Sequence, residues 1–258
     1  MVSHIFDFVE HVALDHPILF SFGVTIIFLY LTSLPALSGC LLGGNKTGEQ
    51  IGESLGRLLG VFILIIILDN LGWLHIFITS RGANVRNWLL VVPVIVYEAA
   101  AFPRAYTQIV KYDYTSLPYL LSLIFNTLSA ALFEEIAFRG LILYALLRSW
   151  AYLRFGTLMA ILVSSIFFGL VHIVKQKEEN TDRWVILQGA WAISMGVLFG
   201  SFAVMSGSIW PAVFLHGTWI VMLKINLLAN PNKEQKLSSL ISPELLVIPL
   251  ALYGFILL

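Results

Sequence analysis

Along the chain, apolar stretches of about twenty residues alternate with short polar connections. The apolar runs fall near 17–38, 58–79, 88–106, 119–150, 156–174, 185–206, 209–229 and 241–258. Polar segments marked by Gly or Pro lie between them, among them LLGGNKTGEQ, SRGANVRN, KYDYTSLP, KQKEENTDR and NPNKEQK. A helix needs ~20 mostly apolar residues to cross a bilayer, so the pattern predicts about eight spans. None of the runs alternates with the period of a barrel strand, and lipid offers backbone groups no partner outside their own helix. The predicted fold is therefore all-α, a polytopic transmembrane bundle forming a single membrane domain over 1–258. The run 119–150 is too long for one perpendicular span, since at ~1.5 Å per residue it reaches ~48 Å. Its first third, 118–127 after Pro118, is expected at the interface or lining a cavity, with 128–150 in the membrane.

Composition supports this class. Apolar residues make up 59% of the 258 positions and charged residues 12%, with a mean hydropathy of +0.88. Soluble domains run at about 45–50% and about 25%. Net charge is zero, with no basic block to bind nucleic acid. The single cysteine, Cys40, excludes an intramolecular disulfide and a cysteine-based zinc cluster. The opening MVSHIFDFVEH has no Lys or Arg before its first apolar run and does not read as a cleavable signal peptide. With eight spans, one side receives Lys46, Arg57, Arg104, Lys111, Lys175, Lys177, Arg183, Lys233 and Lys236. The other receives Arg81, Arg86, Arg148 and Arg154. The richer side is expected to be cytoplasmic.

Ionisable residues at membrane depth are costly and mark functional sites by default. Those found here are Asp69 with Asn70, Glu98, Glu134 with Glu135 and Arg139, His172 and His216, while Lys224 near a helix end is expected to snorkel. Neighbouring Glu134 and Glu135 point ~100° apart on a helix. Glu135 and Arg139, spaced i, i+4, suit an ion pair, which leaves Glu134 facing elsewhere. A network tying helices together is one reading of these charges, and a lone His in a membrane helix is commonly a helix–helix contact. Two His plus a Glu on three separate helices suit hydrolysis better. The set is that of His2Glu zinc peptidases, and it also suffices for metal-free activation of water with a second His beside the oxyanion. Both options stay open. Depth supports convergence toward the cytoplasmic face, because His172 lies at the end of its helix and Glu134 early in the preceding one.

Three elements now carry a resemblance: EEIAFR (134–139), FGLVH (168–172) and the helix of His216, in that order on a polytopic chain. Together they resemble the CAAX protease and bacteriocin-processing family (Abi), intramembrane peptidases related to the Ras-converting prenyl endopeptidases. Its hallmarks are EExxxR, FxxxH and then HxxxN or HxxxD. The likeness runs from Phe133 to about Ile220, and residues 1–110 contribute nothing to it.

By that resemblance the catalytic helices lie within 119–229. Glu134 activates water with help from His172. Glu135, Arg139 and Phe168 support them, and His216 polarises the scissile carbonyl. Glu134, His172 and His216 are also the ligand set if zinc is the cofactor. Ile220 stands where the family has Asn or Asp, so one oxyanion donor is missing, a loss worth on the order of 100-fold in rate. The implied partner is a peptide or protein substrate, prenylated or membrane-embedded, met by a multi-pass protein of a prokaryotic plasma membrane with its site toward the cytoplasm. The alternative is a catalytically silent member acting as a membrane scaffold or bacteriocin-tolerance protein. Other intramembrane peptidases fit worse, since HExxH, GxGD and GxSG are absent. No repeated pair of broken helices suggests a transporter. Gly189, Gly196 and Gly200 read as close helix packing.

Overall fold

The computed structural model describes residues 2–77, 89–96, 117–176 and 182–228, together with 253, 254 and 256. These residues are helical apart from their short connections, and among them four helices are long and apolar enough to cross a membrane. The predicted all-α bundle is thus observed. Glu98, most of the predicted span 88–106 and nearly all of 241–258 lie outside the described residues.

The chain opens with a helix not expected from the apolar runs, α1 (Val2–Asp15). Its charged residues occupy one side, while Ala13 is fully buried. A run-length criterion misses such an amphipathic helix because its apolar positions recur with helical spacing instead of forming a block. Next come α2 (Pro17–Leu31) and α3 (Ser33–Leu42). They form one apolar length broken near Thr32, where Pro35 in the first turn of α3 lacks the N–H that would continue the helical ladder. The polar loop then ends at Asn45, whose side chain accepts from Gly48 N at 2.8 Å and caps α4 (Lys46–Asn70).

Asp69 and Asn70 close α4 and are exposed. Asn70 turns back on its own helix, donating to Ile66 O at 2.8 Å. Among the described residues neither side chain shows a bond to another helix. Arg57, assigned to a loop from sequence, lies inside α4.

The long fourth run is one continuous helical rod in three parts: α5 (Leu117–Glu135), a π-helical segment (Ile136–Leu143) and α6 (Tyr144–Ser149). In its first third Ser122, Leu123, Asn126 and Thr127 are buried. Ser122 and Asn126 bond to Gln50 and Glu53 of α4, and Thr127 bonds Leu123 O of its own helix. Every residue of the π segment is buried. Ser164 donates to Phe138 O at 3.1 Å, satisfying a carbonyl in the segment from outside the rod. π turns arise as local insertions and often sit at functional sites. This one begins immediately after Glu134 and Glu135.

Two more long helices follow, α7 (Gly156–Gln176) and α8 (Asp182–Ser206). They pack closely over small residues, as expected at Gly189 and Gly196. A Cβ at Gly196 would stand 2.8 Å from Ser165 Cβ, and one at Gly189 2.5 Å from Ile173 Cγ1. Gly207, at φ 63, ends α8 in the left-handed conformation. The chain then doubles back into α9 (Trp210–Leu228), bringing the His216 helix alongside α8.

Candidate active site

The carboxylate pair sits at the end of α5, where the helix changes pitch. Glu135 is fully buried and Arg139 is 1% exposed. The expected i, i+4 ion pair is present, with Arg139 Nη1 donating to Glu135 Oε1 at 3.1 Å. Arg139 also donates Nη2 to Gly196 O on α8 at 3.2 Å. That carbonyl is reachable because Gly196 lets α8 come in close.

The helix of His216 completes this arrangement in a way the spacing does not reveal. His216 Nδ1 lies 2.9 Å from the same Glu135 Oε1 that Arg139 uses. A carboxylate can only accept, so Nδ1 carries the proton and Nε2 is the acceptor nitrogen of the ring. That nitrogen is 3.8 Å from Glu134 Oε2. Glu135 is therefore both partner to Arg139 and the group that orients His216. Phe199 of α8 stacks on the imidazole from the side, with ring centroids 5.0 Å apart.

His172, four residues before the end of α7, is oriented by its own helix. Its Nδ1 donates to Phe168 O at 3.0 Å, again leaving Nε2 as the acceptor. Phe168 is the hub that relates the rest. Its ring is 4.6 Å from His172 and 5.9 Å from His216, centroid to centroid, and the Arg139 guanidinium lies over it at 4.7 Å. The two imidazoles are thus no farther apart than these ring distances laid end to end. Glu134 and His216 retain 15% and 8% of their side-chain exposure, whereas Glu135 has none, so the outer part of the cluster is accessible and the inner part sealed.

The structure thus brings Glu134, Glu135, Arg139, Phe168 and His216 into direct contact, with His172 held against Phe168. Among the described residues no three His, Cys, Asp or Glu side chains converge as ligands for an ion. Ile220 is on α9, one turn beyond His216, and contributes only hydrocarbon. Ser201 bonds within its own helix, to Val197 O, and Ser206 bonds Phe202 O and Ser208 O.

Sequence reasoning did not find the polar contacts of two residues. Gly196 O serves Arg139, a backbone role that no residue type announces. Asn126, fully buried within the apolar run LLSLIFNTLSAALF, was visible as a polar interruption and was passed over.

Fold and site together define a helical integral membrane protein with a buried Glu–His–Arg cluster assembled from three helices. Residues 116–222 match the family described as type II CAAX prenyl endopeptidase, Rce1-like, and this match supports membership of the CAAX protease family. The match spans every residue of the cluster and excludes α1 to α4. No curated protein and no solved structure matches the chain.

Proposed function

We propose that the chain is an intramembrane endopeptidase in which Glu134 activates the attacking water. The observation that carries this reading is the orientation of the imidazoles. Both Nδ1 atoms bond acceptors, Phe168 O for His172 and Glu135 for His216, and these bonds fix how each ring is turned. The 3.8 Å between His216 Nε2 and Glu134 Oε2 is longer than a hydrogen bond, and one water can contact both groups.

In this reading Glu134 takes a proton from water as the oxygen attacks the peptide carbonyl, with His172 assisting. The tetrahedral intermediate then collapses, and the same proton passes to the departing amine. His216 lies beside the carbonyl oxygen. To donate there it must carry a proton on Nε2 as well as Nδ1, and the Glu135 carboxylate stabilises that imidazolium, as the buried Asp of a Ser–His–Asp triad does. Arg139 holds Glu135 in position. No step in this reading passes through a metal. The substrate in this reading is a peptide or protein segment reached from the membrane, and the positive-inside pattern supports a site facing the cytoplasm.

The second reading is a silent member that binds a peptide without cutting it. Its support is Ile220, an apolar side chain where the family supplies Asn or Asp. Purified protein incubated with a peptide library, with and without chelator, separates the two by mass spectrometry. Products that form equally with chelator support the metal-free peptidase. Intact peptides that nevertheless bind support the scaffold.

A further inference from the structure

Four buried side-chain atoms lack a hydrogen-bond partner among the described residues. Two belong to the Glu135–Arg139 pair. The other two, Trp219 Nε1 and Gln188 Oε1, lie on α9 and α8, in the seam between these helices. The indole N–H is a donor and the amide oxygen an acceptor. A buried polar atom left unpaired is costly and calls for a reason.

The seam leads to the reaction centre. The short turn at Gly207 makes α8 and α9 antiparallel, and the stack of Phe199 on His216 ties them together. Going back along α8 and forward along α9 therefore leads to the same end, the one at which His172 lies on α7. Trp219 is three residues past His216, ~4.5 Å along the axis and a neighbour on the helix surface. Its ring packs on Trp191 of α8, with centroids 5.5 Å apart. Gln188 stands about one turn beyond Trp191 and eleven residues from Phe199. Eleven residues make about three turns, so Gln188 shares the face of α8 that carries Phe199 over His216. The order outward from His216 is Trp219 with Trp191, then Gln188.

Neither orphaned group is charged, which argues against an ion as the ligand. A donor and then an acceptor along one path match, in reverse, the C=O and N–H that every peptide main chain carries. A trapped water is the competing occupant.

We infer that Trp219 and Gln188 hold the main chain of the substrate peptide beside the bond that is cut. The indole N–H donates to a peptide carbonyl, and Gln188 Oε1 accepts from a peptide N–H further along. Both atoms are covered, so the peptide enters by parting the contact of Trp191 with Trp219, and the bonds it makes favour the parted state. Recognition through the main chain sets a substrate class. An extended segment has its N–H and C=O groups to offer, whereas a helical one has spent them on its own ladder. The inference rests on the reading of the cluster as a peptide site.

The test uses the full chain in detergent, in a Glu134→Gln background so that bound peptides stay intact. A fluorescent peptide from the library is compared with copies in which each backbone N–H in turn is methylated. Methylation at one position is expected to weaken binding at least tenfold. Gln188→Met should weaken the parent peptide by a similar factor, erase that penalty, and leave the melting temperature at or above its value in the background protein, since it removes an unsatisfied atom. Placing benzothienylalanine at position 219 keeps the shape of the indole with sulfur for its N–H, and should also weaken the parent at least tenfold. Indifference to methylation at every position, a penalty that survives Gln188→Met, or unchanged binding after both replacements overturns the inference and leaves the two atoms to water. A lower melting temperature for Gln188→Met with unchanged binding makes the residue structural and overturns it too. Binding of no peptide at all overturns it together with the peptide-site reading. Position-specific binding by a protein that cuts nothing leaves this site standing and defeats only the peptidase reading.

Discussion

Replacing Arg139 by Met tests how the site is held together. The substitution roughly preserves length and removes a guanidinium that is 1% exposed. It leaves Glu135, fully buried, without the charge it faces at 3.1 Å. Removing one partner of a buried pair costs about 3–5 kcal/mol. Loss of the bond to Gly196 O adds about 1 kcal/mol. A chain of this length loses about 2–4 °C of melting temperature per kcal/mol, so the variant should unfold at least ~8 °C below wild type in detergent. Glu135→Leu should fall similarly, because it strands Arg139 and frees His216. Combining the two removes both charges, and the double variant should lie closer to wild type than their summed effects, with a coupling of about 2 kcal/mol or more. Neither Glu135 Oε2 nor Arg139 Nε has a partner among the described residues, so apolar replacement of the pair also removes two unsatisfied atoms. Thermal unfolding followed by intrinsic fluorescence measures all four proteins. An Arg139→Met protein that melts with wild type yet has lost turnover would refute a supporting role and assign Arg139 to substrate.

Three further outcomes are expected. Ile220→Asn, restoring an amide one turn from His216, should raise kcat/KM by about tenfold or more, and unchanged kinetics would remove His216 from the oxyanion. Gly196→Ala puts a methyl group 2.8 Å from Ser165 Cβ and should destabilise by about 1–3 kcal/mol, read as a lower melting temperature. Chelator should leave peptide cleavage by wild type unchanged, and loss of activity restored by zinc would contradict the metal-free mechanism.

The apolar runs made the helical class legible, since a bilayer imposes a length that sequence shows directly. The pair Glu135–Arg139 was equally legible, because i, i+4 geometry is local. The bond from His216 to Glu135 spans 81 positions and depends on how α8 and α9 turn at Gly207, which no local pattern encodes. The same holds for Lys224. Its distance from the helix end suggested snorkelling, and only the packing of α5 against α9 reveals its partner, Asn126, whose Oδ1 accepts from Lys224 Nζ at 2.7 Å. Helix α1 escaped notice because its apolar residues lie on one face.

The central claim, that Glu134 activates the hydrolytic water, is tested most directly by Glu134→Gln. This change keeps the shape of the side chain and removes its basicity at a position partly exposed to the site. With any peptide that wild type cleaves, single-turnover cleavage should fall by ~10²-fold to ~10⁴-fold, while melting temperature and peptide binding stay at wild-type values. Cleavage by a folded Glu134→Gln protein at the wild-type rate would contradict the account.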